Sequence, residues 1–276
     1  MVTLFLTSCQ KDTATETFVE TPNVDAFYDN TLGQTPIGIN DANTLPLNIE
    51  NISFNYSNFD GVVKSAKTSY IADDNGTTIT PFEEYNLKVA VNGSNDAAVA
   101  ALGKYNPDNY IVINDQKYYL IQYHFHYDSE HELNGKRYDM EVHFVHQATS
   151  GKVAVVGVFI NKSAQANATL ETIFNLAPTT ESATTTETLL NFNASSLFPT
   201  NTKDYYTYSG SLTTPFAGVN VLKAPYFEGL RWFVLANPIN VSEESYNHYV
   251  EIYEHPNARP IQLIGSRKVY HHTTNK

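Results

Sequence analysis

Short runs of alternating or apolar residues recur along most of this chain, separated by turn-forming residues. Examples are YNLKVAV, YYLIQYHFHY, MEVHFVH, KVAVVGVFI, RWFVLANPINV and IQLIGSRKVY. Such runs are typical of β-strands, and the 19 Tyr and 15 Phe residues strengthen that preference. Helical patterns are confined to short pieces such as AQANATLETIFNLA and SEESYNHYVEIYEH, the second opening with a Ser242 cap and Glu244 in its first turn. The patch SATTTET, at about 182–188, is typical of a loop.

The length and charge of the chain narrow the possible functions. Its 276 residues, 42% of them hydrophobic, can bury one large core, and we expect residues 23–276 to form a single mostly β domain. The net charge is −12 and no cluster of Lys or Arg occurs, which argues against a nucleic-acid partner. A small-molecule substrate is compatible with this charge. The pattern does not indicate an oligomeric state.

The first 22 residues differ from the rest. The short apolar run MVTLFLTSC resembles the bacterial lipobox, in which a small residue precedes a lipidated cysteine. Cys9 is the only cysteine, so disulfide bonds within the chain are excluded. Residues 10–22 are polar and typical of a flexible tether. We therefore expect an exported protein anchored to a bacterial membrane through lipid on Cys9; the alternative is a cytosolic start with a stray cysteine.

Three histidines are placed where two neighbouring strands would bring them together. Residues two apart on a strand share a face, so Gln122, His124 and His126 line one side of YYLIQYHFHY. A turn containing Asn134-Gly135 follows, and the returning strand MEVHFVH carries Glu141, His143 and Val145 on one face. A single histidine on a strand is more often a core residue than a ligand. Three histidines that converge from paired strands indicate a metal site.

Three histidine ligands and one open position form a catalytic zinc site, for which carbonic anhydrase is itself the known example. The second nitrogen of each ligating imidazole also needs a partner. Gln122 and Glu141 each lie two residues from a ligand on the same face. The pattern therefore predicts Zn²⁺ on His124, His126 and His143, with Gln122 and Glu141 supporting the ligands.

These segments resemble the α-class carbonic anhydrases of bacterial type. QYHFHYDSEH and MEVHFVH are similar to the zinc-binding core of that family, and QTPI at 34–37, AVVGVFI, TYSGSLTTP at 207–215 and NARPIQ followed by Arg267 are similar to its other characteristic segments. The resemblance extends from about residue 34 to residue 270. It implies a large twisted, mainly antiparallel sheet with a few short peripheral helices. It also implies reversible hydration of carbon dioxide to bicarbonate by zinc-bound hydroxide.

The resemblance implies further roles. Thr213 would accept a hydrogen bond from the hydroxide and donate its own to Glu130. The Thr213 backbone N–H would take part in substrate binding, and Thr214 would contact bicarbonate. His131 and Tyr208 match buried supporting positions, while His146 points away from the metal. By themselves, SLTTP is typical of a turn and Glu130 of an exposed charge. The apolar wall that would hold carbon dioxide matches Val145, Val155, Leu212, Leu230 and Trp232.

Among the departures from the family pattern, two bear on turnover and on the pocket rim. Thr77 replaces the usual proton-shuttle histidine in the element Asn75-Gly76-Thr77, so we expect slower turnover that depends more on buffer and that a Thr77→His variant would raise. Extra residues at 215–231, between Thr214 and Trp232, are expected to reshape the pocket rim.

Two alternatives stay open at this point. One is a carbonic-anhydrase-like surface binding module that is catalytically weak or inactive. The other is an unrelated surface protein whose histidines scavenge metal, which would need no pairing of Thr213 with Glu130.

Overall fold

A twisted sheet of 12 strands forms the body of the molecule, in a computed structural model that describes residues 33–49, 52–72, 80–91, 105–214 and 228–274. A separate two-stranded sheet pairs β1 with β8. The strands are β1 (Gly38–Ile39), β2 (Leu45–Pro46), β3 (Ile52–Tyr56), β4 (Phe59–Ala72), β5 (Thr80–Val91), β6 (Asn109–Ile113), β7 (Gln116–His126), β8 (Glu132–Leu133), β9 (Met140–Gln147), β10 (Val153–Lys162), β11 (Thr186–Phe192), β12 (Tyr205–Ser211), β13 (Glu228–Val241) and β14 (Tyr270–His272).

The main sheet is mixed but mostly antiparallel. Its order is β11-β4-β5-β7-β9-β10-β13-β12-β14-β2, and β6 joins β3 to β7 at its side. Only the pairs β10 with β13 and β14 with β2 are parallel among the described strands of this sheet. The central strands β9 and β10 are buried on both faces along nearly their whole length. The predicted β-dominated fold, with its large twisted sheet, is confirmed.

Two short α-helices lie beside the sheet, α1 (Ala168–Asn175) and α2 (Glu243–Ile252). The Ser242 hydroxyl accepts a hydrogen bond from the Ser245 N–H and caps α2, and Glu244 lies in the first turn, as the sequence predicts. Neither described helix is long and apolar enough to cross a membrane.

Two local sequence predictions are wrong in part, and a third falls largely outside the described residues. The loop expected at about 182–188 ends early, because β11 begins at Thr186 and pairs with β4, where β-branched Thr residues fit a strand. Much of the strand expected in IQLIGSRKVY is irregular. Gly265 has φ +62° there, and Arg267 donates hydrogen bonds back to the carbonyls of Leu263 and Ile264, so only its final Tyr270 is in a strand. Residues 228–231 of the expected insertion at 215–231 belong to β13, while 215–227 lie outside the described residues.

The two faces of the sheet bury separate hydrophobic clusters. Tyr123 and Phe125 of β7 pack on the larger cluster, which also holds Phe174 of α1 and Tyr249 of α2. The smaller cluster, on the opposite face, is centred on Trp232. Because side chains alternate along β7, His124 and His126 point to the face of the smaller cluster. The candidate site therefore lies on the same face of the sheet as the smaller cluster.

Candidate metal centre

The hairpin of β7 and β9 brings the three predicted histidines together. His124 lies directly opposite His143 in the antiparallel register, and His126 lies opposite Glu141. All three imidazoles are buried. One ring nitrogen from each lies within 4.8 Å of the other two. The structure therefore confirms that His124 and His126 lie on one face of β7 and that His143 of β9 lies on the same side of the sheet.

In each histidine one nitrogen is held by the protein while the other is left for the site. His124 Nδ1 donates to Gln122 Oε1 at 3.0 Å, and His126 Nδ1 donates to the Asn257 carbonyl at 3.0 Å. His143 Nε2 lies 3.0 Å from Glu141 Oε1. These contacts leave His124 Nε2, His126 Nε2 and His143 Nδ1 as the possible metal ligands.

Glu141 is held in a buried chain of polar groups behind His143. Its carboxylate accepts hydrogen bonds from the His131 backbone N–H and from His131 Nδ1, each at 2.8 Å. His131 Nε2 lies 2.6 Å from Tyr208 Oη, and Tyr208 Oη lies 3.2 Å from Thr35 Oγ1. The supporting positions expected for His131 and Tyr208 are buried, as predicted. The chain fixes the plane of the His143 ring.

Burial and neighbouring charges set the protonation of the ligands. Burial lowers the pKa of His124 well below its ordinary value, with further lowering by His126, His143 and Lys88. Burial likewise lowers the pKa of His126. Burial would also lower the pKa of His143, but the Glu141 carboxylate outweighs that effect and raises it. His124 and His126, two of the three candidate ligands, are therefore neutral at neutral pH, the form that metal binding requires.

The carboxyl group of Glu141 keeps its negative charge despite its burial. Burial alone would raise its pKa, but His131 and His143 hold the pKa well below the ordinary value. A charged Glu141 beside His143 Nε2 makes the opposite nitrogen a better electron donor to a cation.

The residues fit a zinc ion. His126 Nε2 and His143 Nδ1 are buried and have no hydrogen-bonding partner within the described part of the chain. Unsatisfied buried polar atoms are costly, so their convergence with His124 indicates a bound group. Three imidazole nitrogens are ligands that Zn²⁺ prefers. A second group of possible ligands, His131, Glu141 and His143, is consumed by the hydrogen bonds described above.

Glu130 points toward the same space. Its Oε2 lies 3.6 Å from both His126 Nε2 and His143 Nδ1, and its Oε1 accepts a hydrogen bond from the Arg259 N–H at 2.9 Å. Oε2 accepts no hydrogen bond from any described residue, so the bond expected from Thr213 is not formed in this structure. Thr213 is buried and Thr214 half-buried just before the segment at 215–227. Their roles stay predictions.

The predicted apolar wall is one continuous patch. Four of its members are buried and Leu212 is half-buried, and all belong to or pack on the smaller cluster: Val145, Val155, Leu212, Leu230 and Trp232. The Trp232 ring lies 4.9 Å from the ring of His143, measured between centroids. The wall thus borders the space that the three histidines share.

His146 faces the opposite side, as expected. Its Nε2 lies 2.8 Å from Tyr56 Oη, and burial lowers its pKa to about 3. Two other predicted positions, Cys9 and Thr77, lie outside the described residues.

Two supporting residues were not assigned a role from the sequence. Asn257 lies in the NARPIQ segment, whose likeness to the family was the only available signal, and it supplies the carbonyl that holds His126. Gly157, in AVVGVFI, lies opposite His143 in the register of β9 and β10. A glycine within an otherwise apolar strand is a signal for close approach of another group.

Comparison with known proteins identifies relatives that belong to one enzyme family. The model of the family described as eukaryotic-type carbonic anhydrase matches residues 29–273. A carbonic anhydrase of Nostoc sp. is 38% identical over 165 residues, covering 60% of this chain and 58% of that protein. One from Pectobacterium carotovorum is 34% identical over 167 residues, covering 60% and 63%. In both alignments the chain spans less than two thirds of its relative's length.

Solved structures of similar fold agree. The α-carbonic anhydrase of Thermovibrio ammonificans, in complex with the inhibitor sulfanilamide, aligns with a TM-score of 0.66 and 30% identity, covering 89% of this chain and 91% of that one. The α-carbonic anhydrase of Photobacterium profundum aligns with a TM-score of 0.65 and 28% identity, covering 89% and 93%. With the family model matching most of its length, the chain belongs to the eukaryotic-type carbonic anhydrase family.

Proposed function

We propose that this protein is a zinc-dependent carbonic anhydrase, which catalyses the reversible hydration of carbon dioxide to bicarbonate and a proton. The observation that carries the proposal is the convergence of His124, His126 and His143, each with its other nitrogen held by the protein. Membership of the family supports the reaction. The named relatives are carbonic anhydrases.

The three histidines would hold the zinc and leave a further position for water or substrate. When bound, zinc lowers the pKa of a coordinated water to about 7, a value known from carbonic anhydrase itself, so that a nucleophile is available at neutral pH. The surrounding carboxylate and amide groups keep the three imidazoles in one arrangement. The site is therefore preorganised for the cation.

The apolar residues and the polar residues of the site would have different roles in the reaction. The apolar wall around Val145, Val155 and Trp232 would hold carbon dioxide, a nonpolar molecule, without strong polar contacts. Thr213 and Glu130 would orient the attacking group, with the hydroxyl of Thr213 accepting a hydrogen bond from that group and donating one to Glu130. Glu130 supports this role because its Oε2 is buried and faces the histidines. The reaction releases bicarbonate and a proton in exchange for water.

Zinc content and hydration rate test the proposal together. We expect about one zinc per chain and catalysed hydration measurable by stopped flow, with both lost in His143→Ala. His248→Ala is the matched control, because His248 is exposed on α2. Zinc without hydration would indicate a binding module that lacks catalysis. Absence of zinc from the purified wild-type protein would contradict the proposal.

We also propose that Cys9 carries lipid and anchors the protein to a bacterial membrane. The proposal depends on the Leu6-Thr7-Ser8-Cys9 run and on Cys9 being the only cysteine. In a bacterial host, labelled fatty acid should be incorporated into the wild-type protein and not into Cys9→Ala. Equal membrane association of the two forms would contradict the anchor.

A further inference from the structure

Thr35 joins the beginning of the described chain to the end of β12. The residue is completely buried. Its N–H donates to Ser211 Oγ at 2.9 Å, and the Ser211 N–H donates to Thr35 Oγ1 at 3.0 Å. Two residues that are 176 positions apart therefore exchange a pair of hydrogen bonds. Because Ser211 is the last residue of β12, this pair fixes the point at which the chain leaves that strand.

The contact between Thr35 and β12 is close, and it lies just before Thr213. A Cβ atom at Gly210 would come nearer to Thr35 Oγ1 than real Cβ atoms do, so only glycine lets the strand lie directly on the threonine. The Ser211 hydroxyl also donates to the Leu212 carbonyl at 2.7 Å. Thr213 is the next residue. It therefore follows closely on a backbone position that Thr35 holds.

The same threonine is connected to Glu130 through its carbonyl group. The Thr35 carbonyl accepts a hydrogen bond from Arg259 Nη1 at 2.6 Å, and the Arg259 N–H donates to Glu130 Oε1 at 2.9 Å. Glu130 is buried, and its other oxygen faces the histidines. The two residues that would orient the attacking group, Thr213 and Glu130, are thus both connected to Thr35, through different atoms of that residue.

A third connection leads from Thr35 to a candidate metal ligand. Thr35 Oγ1 lies 3.2 Å from Tyr208 Oη, which begins the buried chain through His131 and Glu141 to His143. A buried polar network whose members are hydrogen-bonded to one another is rigid. A displacement of about 1 Å in the group that positions a reactant can cost about a hundredfold in rate. Thr35 is the residue at which these three connections meet.

We propose that Thr35 is a positioning residue for the proposed reaction. It acts through Ser211 and Arg259, and it keeps Thr213 and Glu130 in a fixed position relative to the metal ligands. The inference rests on the proposed function, since it concerns the residues that would orient the attacking group. Its content is that the Thr35 hydroxyl contributes to the hydration rate as well as to stability.

Removal of the Thr35 hydroxyl tests the inference. Thr35→Val keeps the branched shape of the side chain but loses the acceptor of the Ser211 N–H. We expect kcat/KM for hydration, measured by stopped flow, to fall by about tenfold to thirtyfold, because the orienting groups are displaced. Thr35→Ser keeps the hydroxyl and should stay within about threefold of wild type. Zinc content should remain about one per chain in both variants.

Thr207→Val is the matched control. Thr207 is also a buried threonine, and its hydroxyl accepts a hydrogen bond from Arg231 Nε at 3.3 Å. It alternates along β12 with Tyr206 and Tyr208, which belong to the smaller cluster, so its side chain points to the other face. Its loss should lower stability, as removal of a buried hydrogen bond does, while kcat/KM stays within about twofold of wild type.

A double-mutant cycle separates positioning from a general loss of stability. Residues that act as a unit have non-additive effects, so in a Thr213→Ala background Thr35→Val should lower kcat/KM by less than about twofold more. Equal fold losses in the two backgrounds would overturn the inference, as would an unchanged kcat/KM in Thr35→Val. Circular dichroism checks that each variant is folded. If Thr35→Val does not fold, Ser211→Ala takes its place in the same cycle.

Amide exchange in the metal-free protein gives a measurement that does not depend on activity. In Thr35→Val the Ser211 N–H should exchange about tenfold faster, and the amide resonances of Leu212 and Thr213 should shift. Thr207→Val should leave these resonances in place, and their constancy in Thr35→Val would overturn the inference. A wild-type protein without zinc or hydration would contradict the proposed function instead, and the exchange measurement would still decide whether Thr35 holds this segment.

Discussion

Gly157 leaves no room for a side chain beside Glu141. A Cβ atom at Gly157 would lie 2.7 Å from Glu141 Oε1, a separation that real Cβ atoms essentially never show. The same oxygen lies 3.0 Å from His143 Nε2 and accepts from His131 Nδ1. The absence of a side chain on β10 therefore allows the carboxylate to reach the ligand on β9.

Gly157→Ala should displace Glu141 and weaken zinc binding by about tenfold to a hundredfold, as changes of groups behind metal ligands do. Competition with a chelator measures the zinc dissociation constant. Gly38→Ala is the matched control, since its new Cβ would meet only Glu132 Oε2 at 3.9 Å. An unchanged zinc affinity in Gly157→Ala would show that Glu141 can move without effect.

Asn257 connects the C-terminal part of the chain to β7. Its Oδ1 accepts from the Tyr127 N–H, its Nδ2 donates to the carbonyls of Tyr85 and Phe125, and its own carbonyl accepts from His126. Asn257→Ala leaves buried partners unsatisfied and should lower the free energy of unfolding by about 2 to 4 kcal/mol, with weaker zinc binding.

Urea denaturation and chelator competition measure both effects of Asn257→Ala. Asn257→Asp keeps the acceptor for Tyr127 but loses the two donated bonds, so its unfolding free energy should also fall. If Asn257→Ala were as stable as wild type, the side chain would have no part in positioning β7.

His146 should make the protein sensitive to acid. Burial lowers its pKa from 6.5 to about 3, so below pH 6.5 the unfolded chain takes up a proton that the folded protein does not. This contribution to stability is present above pH 6.5 and is lost as the pH falls from there toward 3. Between pH 7 and pH 4.5 the loss should be roughly 2 to 3 kcal/mol.

Urea denaturation of wild type and His146→Gln at both pH values measures that contribution. The Gln side chain can still bond to the Tyr56 hydroxyl but does not titrate. We expect the variant to lose less stability on acidification than wild type. Parallel losses in the two proteins would contradict a buried neutral His146.

Thr213→Ala should lower kcat/KM for hydration by about a hundredfold, the size expected when a group that positions a proton is removed. Zinc content should stay as in wild type, because Thr213 is not a ligand in the proposed site. Thr213→Ser keeps the hydroxyl and should retain much of the activity. Stopped-flow rates that did not differ between Ala and Ser would exclude the role assigned to Thr213.

The arrangement of the three histidines was predictable, because it depends mainly on residues that are close to each other in sequence. Two-residue periodicity places His124 and His126 on one face. The connection 127–139, which contains β8 and the Asn134-Gly135 turn, then returns the chain so that His143 lies opposite His124. Gln122 and Glu141 follow from the same periodicity. The metal centre depends on a single pair of adjacent strands.

Other contacts join residues that are far apart in sequence and could not be predicted in this way. Asn257 lies 131 residues after His126, and no periodicity indicates that its carbonyl reaches the Nδ1 of that histidine. In the same way, the register of β4 and β5 places Lys64 opposite Lys88, and the connection between these two strands includes residues 73–79 outside the described part of the chain. Register across such a connection is set by packing rather than by local pattern. The resemblance to the family identified the segment that contains Asn257. It did not indicate that the Asn257 carbonyl accepts a hydrogen bond from His126 Nδ1.

Trp232 is the only tryptophan in the chain, and its ring lies 4.9 Å from the ring of His143 and 5.0 Å from that of His131. Excitation at the red edge of the near-ultraviolet absorption band would therefore select one indole, which is buried beside the candidate metal ligand His143. The intrinsic fluorescence of Trp232 should therefore report on the surroundings of the candidate metal centre. Arrival of zinc, its removal by a chelator and entry of a molecule against the apolar wall should each change the emission of this one fluorophore, without any label.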